Sequence, residues 1–253
     1  MEKKYKLTEE TINVGGTALY RIEALRDFGD VKKGSKGGFI EKEDNLSQSG
    51  DCWVYGNAMV CDKAMVYNNA KVYDDALVHD NAMVYGNAKV SGNALVYDNG
   101  VVHDNAVVCD NASVYGNARV YSKAKVYEYA AVCDDAMVCG NAKVYGNARV
   151  CDNVWVNCKV QVCGCAEVFG EAKICGDAVI TSNSDYIVFK NWWSSGRYFT
   201  WTKSNNMWKV GCFHGTGKEL IEKAYKDSEI SGREYERVVK YVESIIADDG
   251  KDK

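Results

Sequence analysis

Two histidines in a repeated setting are the first residues in this 253-residue chain whose types and spacing could do chemistry. His79 and His103 each sit in the tetrapeptide Val-His-Asp-Asn, one copy well downstream of the other in the same repeating pattern. A histidine whose ring is oriented by a carboxylate is a candidate general base, and Asp80 and Asp104 are placed to orient these two rings. Aspartate is also common at that position without a histidine, as at Asp62 and Asp110, so a purely structural role fits as well. His214, in Cys-Phe-His-Gly-Thr just ahead of a helix signal, reads equally as an exposed loop residue or a base. No Ser-His-Asp arrangement stands out.

The eleven cysteines are an odd number, and most share a sequence slot with tyrosine. They read as free thiols used as small apolar residues. Cys133 and Cys151 are separated by three repeat units and are expected to stack, which makes them the one place for a thiol pair or a soft-metal site. Cys163 and Cys165 form C-x-C, and no His/Cys set has zinc spacing, so no metal is expected. The run Gly34-Ser-Lys-Gly-Gly38 lacks the Walker spacing and reads as a solvated turn.

The elements that position these residues follow from one rhythm. From Val54 to Ile180, every sixth residue is aliphatic: 22 positions, 20 of them valine, the others Ile174 and Ile180. Two residues earlier stands alanine, with Cys52, Gly100, Val154 and Val160 as exceptions. A period of six is neither a helix nor a long alternating strand. If alanine and valine both point inward, the residue between them points out, and the next three turn a corner. Asparagine fills 12 of the 21 corner places from Asn57 to Asp177, usually after glycine or aspartate. Those residues tolerate positive φ. Three short strands, one from each of three consecutive units, then close a triangular coil.

The units Val-Tyr-Gly-Asn-Ala-Arg and Val-Cys-Asp-Asn-Ala-Ser resemble the bacterial transferase hexapeptide repeat, with Tyr, Cys or His in its second slot. The resemblance implies a left-handed parallel β-helix of about seven coils, assembly as a homotrimer, and acyl transfer from acyl-CoA with a histidine base. The expected fold class is mainly β: residues 1–45 as an N-terminal β cap, 46–182 as the column, and 183–253 as a small α+β domain. The flanking segments Leu19-Tyr-Arg-Ile and Gly38-Phe-Ile-Glu also resemble uncharacterised hexapeptide-repeat proteins carried by phages.

Read one coil at a time, the outward positions sort into three walls. Met59, Leu77 and Leu95 begin one; Met65, Met83 and Val101 begin another; Lys71, Lys89, Lys125 and Lys143 lie on the third. Exposed apolar stripes mark contact surfaces, so the first two are expected to be covered by neighbouring subunits or by the terminal segments. The lysines suit a small anionic ligand. Beyond the column, Tyr186–Lys190, Arg197–Lys203 and Met207–Cys212 read as strands, and capping boxes at Thr216 and Ser231 open two helices. Trp192, Trp193 and Trp201 are candidate partner contacts, with Tyr85 and Tyr97 beside the histidines.

A net charge of −4 excludes general affinity for nucleic acid or an anionic membrane surface. The first ten residues are polar and no stretch approaches ~18 apolar residues, so a cytoplasmic location is expected. Two functions compete. The first is a non-catalytic oligomeric scaffold that binds a host protein or a small anionic signal molecule and needs no cofactor. The alternative is an acyl-CoA-dependent acyltransferase using His79 or His103, although the column has no inserted loop to embrace a carrier.

Overall fold

The computed structural model describes residues 3–249. Inward Ala and Val on either side of one outward residue allow strands only two residues long. There are 22 of them, β4 to β25, from Trp53–Val54 to Val179–Ile180. Each pairs in parallel with the third strand before or after it in the chain, so Lys89–Val90 lies between Lys71–Val72 and Val107–Val108. Three walls result, and the one from Trp53 to Val179 is eight strands tall. The column is therefore a parallel β-solenoid of about eight turns where the spacing predicts about seven; Trp53–Val54 and the segment below it add to the count. Every inward valine, isoleucine and alanine along it is fully buried.

The corners hold because each solves a backbone problem. All 21 corner residues from Gly56 to Gly176 at the turn position have positive φ, and 12 of them are not glycine. Aspartate there also closes a bond to the next coil: Asp74 Oδ2 accepts from the Gly92 N–H at 2.9 Å, and Asp98 Oδ2 from that of Gly116 at 3.2 Å. Asparagine side chains climb the edges, as Asn69 donates to Asn87 and Asn87 to Asn105.

The lower end is closed by an antiparallel meander of β1 (Tyr5–Val14), β2 (Thr17–Ala24) and β3 (Lys36–Ile40), whose last strand runs parallel to Met59–Val60. Trp53, the outward residue of the first column strand, is packed edge-on by Tyr5 and Phe28 and buried. The Gly34–Gly38 run is not a solvated turn along its length. A Cβ on Gly38 would lie 2.4 Å from the Ala58 carbonyl oxygen, and one on Gly37 would lie 2.6 Å from that of Val54. These glycines let β3 cross tightly beneath the first coil. Lys4 is buried with them, its ammonium donating to the Cys52 carbonyl at 3.0 Å.

The upper end is covered by a four-stranded antiparallel sheet, β26 (Tyr186–Lys190), β27 (Tyr198–Thr202), β28 (Met207–Val210) and β29 (Phe213–Gly215), and by α1 (Gly217–Asp227) and α2 (Glu229–Asp249). Last-coil donors find partners there: the Lys173 N–H bonds Thr200 Oγ1 at 2.9 Å and the Val179 N–H bonds Ser204 Oγ at 2.8 Å. Thr216 caps α1 through a capping box. Ser231 does not start the second helix. The helix begins at Glu229 because Ser228, which ends α1, accepts the Ser231 N–H at 3.1 Å.

Candidate functional site

Corner side chains of successive coils lie over one another, which turns single residues into columns. Tyr67, Tyr85, His103 and Tyr121 stack face to face, with His103 4.8 Å from Tyr85 and 5.0 Å from Tyr121. His79 stacks at 5.2 Å on Tyr97, which continues to Tyr115, and its other neighbour, one coil below, is Cys61. The two histidines do not touch each other's columns. Both imidazoles are oriented from the next residue: His79 Nδ1 lies 3.0 Å from Asp80 Oδ2, and His103 Nδ1 lies 3.2 Å from Asp104 Oδ1.

The two pairs differ in what else the carboxylate does. Asp80 Oδ2 also accepts the Asp98 N–H, at 3.3 Å, so a single oxygen serves ring and ladder. Asp104 divides the work, with Oδ2 accepting the Ser122 N–H at 3.1 Å and Oδ1 facing His103. His103 is therefore held on both faces and by a carboxylate that is itself anchored. Beneath this corner runs the wall of Met65, Met83 and Val101, with Met65 43% exposed. The ring of Tyr121 stays protonated beside His103, because a hydrogen bond to Cys139 and burial both raise its pKa.

The first apolar wall is met from within the chain. Ile12, Val14, Leu19 and Phe39 of the meander cluster with Met59, Cys61 and Leu77, so the N-terminal segment covers the start of that stripe, while Leu95 lies above it. Lys71 is not free for a ligand. Its ammonium is paired with Asp30, which also accepts from the Tyr55 hydroxyl at 2.7 Å. Both donors hold the Asp30 carboxyl below its usual range. Lys89, Lys125 and Lys143 remain exposed along the wall.

Trp201 is corrected from contact residue to core: it is 2% exposed and donates to Asn206 Oδ1 at 2.9 Å. Trp192 is 74% exposed, and Trp193 lies edge-on to it while packing on Tyr235. His214 rests on the last corner, where a Cβ at Gly176 would meet its ring at 2.7 Å.

Two clefts have no counterpart in the sequence pattern. One of about 340 Å³ borders the exposed methionine and is lined by Asp44, Ser47, Met65, Val66 and Tyr67. The other, about 260 Å³, lies in the C-terminal domain among Arg197, Lys223, Asp227 and Tyr235. Each joins residues distant in sequence, so no local pattern announces it. Among the described residues, no helix is long and apolar enough to cross a membrane.

Comparison with known proteins bears on the column. The description of the YdcK β-solenoid repeat matches residues 88–104, which include His103. The uncharacterized acetyltransferase YdcK of Escherichia coli strain K12 is 41% identical over 61 residues, covering 21% of this chain and 19% of that protein. The chain thus matches about a fifth of the length of this curated relative. The six-residue unit, the three-walled solenoid it builds and these two matches fit this chain to the hexapeptide-repeat transferase superfamily.

Proposed function

We propose that this protein transfers an acyl group from an acyl-CoA thioester to an amine or hydroxyl, with His103 as general base and Asp104 as its positioning residue. The observation that carries the reading is the divided grip of Asp104, one oxygen on the imidazole and the other on the next coil. A ring fixed through Nδ1 presents Nε2 as the proton acceptor. As the acceptor attacks the thioester carbonyl, Nε2 takes its proton; as the tetrahedral intermediate collapses, the imidazolium returns that proton to the departing CoA sulfur. The exposed Met65 and half-buried Met83 beside this corner suit a neighbouring copy, whose wall would then lie across from His103. The name of the E. coli relative agrees with this chemistry.

The test is turnover of acetyl-CoA and longer acyl-CoAs with a panel of amines, followed by free thiol release. His103→Ala is expected to abolish it and Asp104→Asn to lower kcat by ~10–100-fold, while His79→Ala retains most of it. A flat thermal shift with CoA and its thioesters, together with no thiol release, overturns the reading.

A second reading is a binding scaffold, favoured by the exposed Trp192 and the Lys89, Lys125 and Lys143 wall. In that case mass spectrometry of the denatured purified protein reveals a retained small anion, and Lys125→Glu with Lys143→Glu releases it.

A further inference from the structure

Cys133 and Cys151 lie on the same corner column, one coil apart, behind the paired segments Ala131–Val132 and Arg149–Val150. Their sulfurs are 2.6 Å apart. That is nearer than non-bonded heavy atoms sit, at about 3.5–4.0 Å. The backbone fixes this approach, since the Cys133 N–H bonds the Val150 carbonyl and the Cys151 N–H bonds that of Val168, both at 2.9 Å. Neighbouring strands spaced by ~4.8 Å fall inside the Cα window of a disulfide, about 4.4–6.8 Å.

Two chemistries compete for such a pair. Asp134 lies close enough to complete a three-donor metal set with both thiols. Two thiolates on one tetrahedral ion, with metal–sulfur bonds of about 2.3 Å, stand about 3.8 Å apart. Binding an ion would therefore force the sulfurs apart by more than ~1 Å against a hydrogen-bonded ladder, whereas a disulfide of about 2.04 Å draws them together by only ~0.6 Å. We propose that Cys133 and Cys151 are a covalent modification site, a cross-coil thiol pair that a small-molecule disulfide such as glutathione disulfide converts into an intramolecular disulfide.

The order of events follows from exposure. Cys133 is 2% exposed, whereas Cys151 is half-buried and meets the oxidant first. Its thiolate attacks one sulfur of glutathione disulfide; that S–S bond breaks, and one glutathione leaves as thiolate. The Cys133 thiolate then attacks Cys151 Sγ, forming the protein disulfide and expelling the second glutathione. Two protein thiols lose two electrons and two protons, and one glutathione disulfide becomes two glutathione thiols. Burial and the neighbouring Cys133 push the Cys151 thiol up to about 12. Closure is accordingly slow at neutral pH and speeds up as the pH rises toward that value. The product locks one complete coil.

The experiment uses the full folded chain carrying Cys139→Ser and Cys158→Ser, so that tryptic peptides 126–143 and 150–159 each retain a single cysteine. After glutathione disulfide treatment and alkylation of remaining thiols, mass spectrometry is expected to find these peptides joined. The oxidised protein should melt on the order of 5 °C or more above the reduced form. Adding Cys133→Ser removes both effects. Recovery of the two cysteines as separately alkylated or separately glutathionylated residues overturns the proposal, as does stoichiometric zinc uptake that disappears with Cys133→Ser.

Discussion

Replacing Asp98 by asparagine, glycine and alanine separates the two jobs its corner performs. The residue sits at φ 54°, and its carboxylate accepts the Gly116 N–H from the coil above. Asparagine keeps both features, since it tolerates the left-handed region and retains an acceptor oxygen, so its change should stay within ~0.5 kcal/mol. Glycine relieves the steric cost but loses the bond and adds freedom to the unfolded chain, for a loss of about 1 kcal/mol. Alanine loses the bond and also bears ~1–2 kcal/mol for the left-handed conformation, for a total of about 2–3 kcal/mol. In a chain of this size that corresponds to a fall in Tm of roughly 4–12 °C, with about a third of that for glycine. Urea titration at constant m and calorimetry both read the order, asparagine above glycine above alanine. If alanine and glycine proved equally stable, the claim that backbone conformation selects the corner residues would be wrong.

Further substitutions probe the other parts of the fold. Val114→Ala removes two fully buried methyls in mid-column and should cost about 2–3 kcal/mol, while Met65→Ala on the exposed wall should stay within ~0.5 kcal/mol for the isolated chain; urea titration of both checks the contrast. Gly38→Ala drives a Cβ into the Ala58 carbonyl and should release the N-terminal meander, seen as rapid proteolysis ahead of Gly50 with the column intact. Asp30 supplies a pH dependence. Its folded pKa lies below the unfolded value of ~3.9, so its contribution is fully present above that pH and is lost as pH falls through the folded value. Fluorescence of Trp53, packed by the same cap, should therefore change below about pH 4, and Asp30→Asn should remove that component of the change.

The column was legible because its information is local and repeated. An aliphatic residue every six positions leaves one way to bury them all, and the stacking partners of His79, His103 and Cys133 follow by moving three repeat units up or down the chain. Adjacent residues were legible too, which is why Asp80 and Asp104 were placed against their histidines. What failed depended on distance. Lys71 reads as a ligand contact until Asp30, 41 residues earlier, is brought to its ammonium by the meander. β1 is hidden because most of its side chains face water and its partner is a hairpin strand rather than the core. Trp192 and Trp201 share a residue type, and only the sheet pairing of Trp201 with Trp208 shows which one is core.

Repetition also decides where function can reside on this molecule. A ladder that repeats each side chain at ~4.8 Å makes most wall residues interchangeable, so chemistry must come from places where the pattern is broken. Histidine in place of tyrosine is such a break, and so are two cysteines in succession on one column. Asp104 differs from Asp80, the other aspartate beside a histidine, in that one of its oxygens meets the imidazole while the other holds the next coil. Placing histidine at position 121, one coil above His103, would set a second imidazole on the same stack with Ser122 behind it. Tyr121→His should leave stability within ~1 kcal/mol, since the stack persists, and should not restore turnover to His103→Ala, because serine supplies no carboxylate to orient the ring. Restored turnover in that double variant would mean that the column position, and not the anchored carboxylate, makes the base.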